Sequence, residues 1–370
     1  MNNPRANSGL TGLKTALSSG MMVCVSAILL LATASPRVYP QSPVETPNHE
    51  KITVSQDGIV TVPSQSIPPS AFLSPEGKAY VAQHMQATQE SPETSEAKEM
   101  PYLEDQKAKF PVDVQDTSIA GVHVYIFTPK DGVKPENSKR ILIDLHGGGF
   151  SGCWPYCALM ESMPVSSVGK FKVVSVDYRE GPRYHFPSAS EDVAKVYSAL
   201  LKQYSAKNIG IYGFSAGGTL TAESIAWFEK YKLPIPGAIG IFCAGGGDIY
   251  LGDSMYLSMP VGQGQMFGPY TNYLQQPYWG GADANDPLVQ QVNHPDVLAK
   301  FPPTLFISGT RDVALSNVLI TNLQLLRAGV ETKLIVWEGL WHGFFFNPNV
   351  PESQDAYREM VKFFDKQLGP

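Results

Sequence analysis

The most constraining feature of this chain is Gly213-Phe214-Ser215-Ala216-Gly217-Gly218, set between an apolar run ending at Tyr212 and helical spacing from Thr219. A G-x-S-x-G sequence in that setting reads as a sharp strand-to-helix turn with the serine at its apex. Such a turn is so tight that residues flanking the serine must be small, and Gly213, Ala216, Gly217 and Gly218 meet that need. A glycine-rich chain produces lone matches by chance, so the weight comes from the strand before and the helix after.

The rest of the chain supplies a sheet to hold that turn. Residues 122–127 are β-rich, and 141–145, 172–176, 208–212, 238–242, 304–307 and 333–337 are short apolar runs of the kind buried strands produce. Helical spacing is found at 75–88, 189–204, 219–230, 316–328 and 353–368, with Val193, Val196, Tyr197, Leu200 and Leu201 sharing one face. Strands alternating with helices predict an α/β fold with a mostly parallel sheet and helices on both faces. Three stretches stand apart. Residues 36–75 hold eight prolines among Ser, Gln and Thr, the composition of an extended linker or loosely attached arm. Residues 91–109, rich in Glu, Lys and Ser, read as solvated. Residues 248–280 carry no clean period, and a loop of that length inside a domain is a candidate lid or pocket wall.

A net charge of −6, mixed in sign along the chain, offers no basic stripe for nucleic acid. The N-terminus reads as an export signal: Arg5 and Lys14 precede the apolar run 21–31, which ends in Ala32-Thr33-Ala34. That run is too short to span a bilayer comfortably. Cleavage near Ala34 would give a periplasmic or secreted mature chain with no stable membrane span; uncleaved, the segment would be an anchor. Cys24 has no small residue before it, which argues against a lipoprotein acceptor. Cys153 and Cys157 are close enough to pair in a tight loop or first helical turn in an oxidising compartment, and two separate thiols fit as well. Cys243 lies in an apolar run and reads as a small core residue. Without a CxxC or a Cys/His cluster, no metal site and no cofactor are expected.

His146-Gly147-Gly148-Gly149 follows the run 141–145. Successive glycines let backbone approach a substrate and aim amide N–H groups at an oxyanion. Gly148, Gly149 and Ala216 are the expected donors, with Gly147 a further possibility. Taken with Phe150, Asp177-Tyr178-Arg179, Phe186-Pro187, Glu191-Asp192, Gly213 to Gly218, Tyr278-Trp279-Gly280-Gly281-Ala282-Asp283 and the segments around Asp312 and His342, the chain resembles the bacterial hormone-sensitive-lipase-like esterases over residues 110–370. It departs at Phe214, where that family usually has Asp or Thr, and at Glu180-Gly181-Pro182-Arg183, where Leu-Ala-Pro-Glu is usual. The resemblance implies an α/β-hydrolase fold over 110–370, with 35–109 as linker and N-terminal cap segment and a lid insertion at about 248–280. It also implies short- to medium-chain carboxylic esters as small-molecule substrates.

In this fold the serine is followed along the chain by an acid and then a histidine. Of the seven histidines, only His294 and His342 follow Ser215. His294 sits in polar Asn-His-Pro-Asp, whereas His342 follows the last expected strand, so His342 is the candidate base. Asp312 follows the strand 304–307 and is the candidate acid. Asp283, Asp286 and Asp296 precede that strand, on the wrong side. Arg311 is expected to point elsewhere. Arg179 and Asp192 read as structural, Asp192 opening a helix where negative charge is favoured. Two-step acyl transfer by Ser215, Asp312 and His342 is the expected chemistry. Tyr250, Met255, Tyr256, Met259, Met266, Phe267, Tyr270 and Tyr273 either line an apolar pocket or pack as core. A carbohydrate acetyl esterase is the nearest alternative. An oligopeptidase would need a large N-terminal propeller. A non-catalytic receptor, as the plant gibberellin receptors are, would lack the histidine that His342 supplies.

Overall fold

A computed structural model of the chain describes residues 51–90, 95–248, 251–266 and 273–369. The expected signal segment 1–34 lies outside the described residues, as does the linker up to Glu50.

The described residues begin with an exposed antiparallel pair, β1 (Thr53–Val54) and β2 (Val60–Thr61), then α1 (Pro75–Glu90) and α2 (Ser95–Lys109). There follow β3 (Val112–Ile119), β4 (Val122–Pro129), β5 (Ile141–Leu145), α3 (Tyr156–Gly169), β6 (Val173–Val176), α4 (Ser188–Leu200), β7 (Ile209–Phe214) and α5 (Ala216–Lys230). Next come β8 (Ala238–Phe242), α6 (Ser254–Gln263), α7 (Pro295–Leu298), β9 (Thr304–Arg311), α8 (Leu315–Arg327), β10 (Thr332–Trp341) and α9 (Pro351–Gln367). The last eight strands form one sheet in the order β10-β9-β8-β7-β5-β6-β4-β3. Pairing is parallel from β10 to β6 and antiparallel at β6–β4 and β4–β3.

The pleat separates two core layers. Along β5, Ile141, Ile143 and Leu145 join Val174, Val193, Ile211, Leu220 and Phe306 on one face. Leu142 joins Val173, Tyr212, Phe242, Met360 and Phe364 on the other. A sheet covered on both faces has this period-two division of continuous apolar runs. The chain leaves β5 for β6 on one side and returns to β7 on the other, so the strand order reverses beside β5. Ligands of open α/β sheets bind in the crevice outside the carboxyl ends of strands at such a reversal.

Several elements differ from expectation. Within 91–109, α2 occupies Ser95–Lys109; of its described side chains Glu104, Asp105, Lys107 and Lys109 are exposed as expected, while Leu103 and Gln106 are buried and the Gln106 side chain donates to the Phe346 carbonyl at 2.9 Å. In α3 apolar and small residues are buried almost throughout, with Pro164 inside, so no amphipathic stripe marked it. β3 is a polar edge strand, Val-Asp-Val-Gln-Asp-Thr-Ser-Ile, that exists by pairing with β4 along its whole length. The arm is fastened from Pro68 onward: Arg311 donates to the Pro68 carbonyl at 2.7 Å, and the Ser74 amide and hydroxyl bond the Glu352 carboxylate at 2.7 and 2.9 Å. Part of the expected lid stretch is helical, since α6 buries Ser254, Met255 and Ser258. Tyr256 and Met266 face solvent and Met259 is half-buried. Tyr250, Phe267, Tyr270 and the Tyr273 side chain lie outside what is described. Among the described residues no helix is long and apolar enough to cross a membrane.

One contact can be tested directly. A Cβ on Gly217 would lie 1.6 Å from the Leu145 carbonyl oxygen, inside any allowed contact. Gly217→Ala is expected to lose about 3 kcal/mol or more in urea denaturation, as overpacking against backbone has no soft side chain to yield. Wild-type stability in that variant would show that β5 and α5 do not meet as described.

Candidate active site

Ser215 stands between β7 and α5 with φ 54° and ψ −119°, a backbone region that non-glycine residues rarely occupy. Strain of this kind persists only where surroundings over-determine it. Here they do: the Ser215 amide donates to the Phe242 carbonyl at 2.9 Å, and the Thr219 amide donates to the Ser215 carbonyl at 3.0 Å. The hydroxyl is thereby raised at the carboxyl edge of the sheet.

β9 ends at Arg311 and delivers Asp312; β10 ends at Trp341 and delivers His342. The β10 register against β9 shifts between Trp337 and Trp341, just before His342. His342 Nδ1 lies 2.8 Å from Asp312 Oδ1, and its Nε2 lies 2.9 Å from Ser215 Oγ. Asp312 is fully buried. It also accepts the Ser308 hydroxyl at 2.7 Å and the Ala314 amide at 2.9 Å. Burial alone pushes its carboxyl up, but the charge and hydrogen bond of His342 with the Ser308 and Ala314 donors outweigh that and hold its pKa below the ordinary value. The imidazole can take a proton from the serine while the carboxylate steadies the resulting cation. Phe214 packs on the His342 ring at 4.8 Å and on Phe345 and Phe346, filling with apolar surface a position where a polar residue was expected from the resemblance.

The glycine loop after β5 lies beside the serine because Leu145 pairs with Gly213. Gly148 has φ 120° and a Cβ there would lie 1.7 Å from the Gly152 carbonyl, so only glycine fits. Ala216 is the first residue of α5, and its N–H has no acceptor within the helix. Gly147 is a correction: its N–H donates to Glu161 Oε1 at 2.9 Å and is not available to an oxyanion. The loop is braced on several sides. The Tyr178 hydroxyl donates to the His146 carbonyl at 2.5 Å, the Gly181 amide donates to the Phe150 carbonyl at 2.8 Å, and a disulfide joins Cys153 to Cys157. Burial raises the Glu180 carboxyl to about 8. His146 is buried, stacked on Tyr178, and lowered by burial to about 4, so it is a neutral structural ring near pH 7.

Other candidates fall elsewhere. His294 is half-buried at the start of α7. Arg179 binds Asp192 and Glu191 at 2.7 and 2.8 Å and braces the start of α4. Arg311 turns away to Pro68 and Val261. Cys243 is a buried free thiol, but it is more than filler: its Sγ, an Asp312 oxygen and a His342 nitrogen lie within 4.8 Å of one another. Those last two are committed to each other, and burial first, then the Asp312 charge, push the thiol up. Asp144, Glu161 and Ser308 were not singled out from sequence, although a carboxylate inside an apolar run, as at Asp144 and Glu161, is itself a signal.

A family model described as alpha/beta hydrolase fold, Abhydrolase_3, matches residues 142–346. An acetyl-hydrolase of Streptomyces hygroscopicus is 24% identical, covering 62% of this chain and 77% of that protein. A versiconal hemiacetal acetate esterase of Dothistroma septosporum is 27% identical over 66% of this chain and 77% of its own. Among solved structures, the esterase E25 superposes with a TM-score of 0.72 at 28% identity, covering 84% of this chain and 99% of that one. An esterase from the bacterial hormone-sensitive lipase family gives 0.66 at 23% identity over 80% and 99%.

The Asp312 environment sets a pH dependence. Its native pKa is depressed, so the stability it contributes is present above the ordinary aspartate value of 3.8 and is lost as pH falls through the lower native value. The stability gap between wild type and Asp312→Asn, measured by urea denaturation at descending pH, is expected to narrow across that window. A gap that stays constant would contradict the depressed pKa.

Proposed function

The chain belongs to the α/β-hydrolase-fold family whose model matches residues 142–346, and from that membership we propose that it hydrolyses carboxylic esters with Ser215 as nucleophile, His342 as general base and Asp312 as the acid that orients it. The observation that carries the reading is the pair of short bonds, 2.8 and 2.9 Å, joining Asp312 to His342 and His342 to the strained Ser215.

His342 Nε2 takes the hydroxyl proton as Ser215 Oγ attacks the ester carbonyl. The Gly148, Gly149 and Ala216 amides receive the oxyanion. His342 returns its proton to the departing alcohol. Water, deprotonated by the same nitrogen, then attacks the acyl-enzyme, and the returned proton frees Ser215 and a carboxylic acid. These steps use no metal and no cofactor.

Short- to medium-chain esters are the proposed substrates. Relatives named acetyl-hydrolase and hemiacetal acetate esterase support the short end of that range and keep an acetylated carbohydrate in view. For α1 and α6 we propose a cap. His84 on α1 stacks on Trp341 at 3.9 Å, next to His342, and bonds the Gly262 carbonyl of α6 at 2.8 Å. Export to the periplasm or medium is proposed from the pattern of residues 1–34, and a Cys153–Cys157 disulfide suits an oxidising compartment.

Hydrolysis of p-nitrophenyl esters from acetate to palmitate tests the reading. Activity is expected to peak at short acyl chains and to fall at least about 10⁴-fold in Ser215→Ala. A folded protein inactive on every chain length and on acetylated sugars would end the esterase reading.

A further inference from the structure

We infer that the Cys153–Cys157 disulfide is a positioning element for the Gly148 and Gly149 amides, and that the full rate of ester hydrolysis requires it to be closed. The catalytic part of this inference rests on the esterase reading above. The loop after β5 has an uncommon backbone: Gly148, Gly149, Phe150, Gly152 and Cys153 all have positive φ, with 55° at Phe150 and 102° at Cys153. For the two residues that carry side chains this region is costly, and it persists only where the surroundings impose it. Phe150 is held by the Gly181 amide, which donates to its carbonyl at 2.8 Å, and by Tyr278, on which its ring stacks at 4.6 Å. Cys153 is held by its sulfur, bonded to Cys157 in the first turn of α3, and by its carbonyl, which accepts the Cys157 amide at 2.9 Å.

That fastening reaches the amides by direct contact. A Cβ on Gly148 would lie 1.7 Å from the Gly152 carbonyl oxygen and 2.8 Å from Cys153 Cβ, so residues 152–153 lie against the Gly148 backbone. On the near side, the Gly147 amide donates to Glu161 Oε1 at 2.9 Å. Cys157 and Glu161 are four residues apart on α3 and share one face of it. One helix therefore holds the glycine loop at both ends, by a covalent bond and by a hydrogen bond. α3 is buried along nearly its whole length, which makes it a rigid mount. A disulfide between residues only four apart restrains the unfolded chain less than one closing a long loop, so its effect is chiefly local. A dithiol opens it by exchange: one thiolate attacks the sulfur of half-buried Cys153, and buried Cys157 leaves and is protonated. The second thiol then displaces Cys153, so two electrons and two protons pass to the cysteines and the reductant leaves as its own disulfide. Freed, Cys153 relaxes toward an ordinary φ, Gly152 shifts off Gly148, and the amides lose their aim. The oxyanion forms only in the transition state, so kcat falls while KM holds.

The test compares kcat and KM for p-nitrophenyl acetate in oxidised wild type, in wild type reduced with dithiothreitol, and in Cys153→Ser/Cys157→Ser. Reduction, checked by thiol titration, is expected to lower kcat about tenfold at unchanged KM, less than the ~100-fold or greater cost of removing an oxyanion donor itself. The double variant should show the lower kcat and ignore the reductant. A trifluoromethyl ketone, whose adduct with Ser215 carries an oxyanion, should bind more weakly to the reduced protein by the same factor. A merely structural bond would not give that pattern below the melting temperature. Reduced wild type with an unchanged kcat overturns the inference, and so does a loss of activity that only tracks unfolding. If the double variant fails to fold, oxidised and reduced wild type decide the matter between them. If wild type hydrolyses no ester, the esterase reading fails, and amide hydrogen exchange at residues 147–149 judges the brace alone. Faster exchange on reduction supports it, and exchange that does not change rules it out.

Discussion

The contact between the end of β5 and the first turn of α5 is the constraint on which the rest of the site depends. Leu145 O occupies the space that any side chain at Gly217 would need. Because the strands bearing them pair in parallel, Leu145 against Gly213, the glycine loop and the serine turn emerge side by side at one edge of the sheet. The positive φ of Ser215 is held by β8 on one side and by α5 on the other. Asp312 and His342 then arrive from the next two parallel strands on the same edge. A serine turn, an amide cradle and an acid–base pair converge without any long loop having to order itself around them.

Behind that edge, the buried carboxyls are partnered rather than removed. Asp312 gathers three donors, enough to overcome the cost of burial and remain ionised. Buried Asp144 accepts two serine hydroxyls, and buried Glu161 accepts one loop amide. Phe214, His146 and Tyr178 fill the space between these groups with neutral rings. A low-dielectric surround strengthens each of these bonds and makes each unpaired charge more costly.

Most strands were legible because each is an apolar run between turn residues; β5 and β8 coincide with the runs 141–145 and 238–242. What was missed has a common cause. α3 is buried nearly all round, so it shows no 3.6-residue period. β3 is polar and is defined by its partner β4. α2 was not marked as a helix since, among its described side chains, buried Leu103 and Gln106 are outnumbered by exposed charges. α6 carries Pro260 and two exposed apolar residues, Tyr256 and Leu257, which erase its stripe.

Chain order and local turn chemistry were enough to single out Ser215, Asp312 and His342, since each follows a recognisable strand and a covalent neighbourhood sets how a turn can bend. The glycines at 148, 213 and 217 were likewise written in the sequence, because no other residue has the conformational freedom or the lack of bulk. Only the tertiary structure decided which amide was spent on Glu161, that Cys153 and Cys157 join, that Cys243 lies against Asp312, and that the arm from Pro68 is tied down by Arg311. Each of these depends on the distance at which packing holds two groups. That distance is set by how helices lie on the sheet, and no local pattern of residues encodes it.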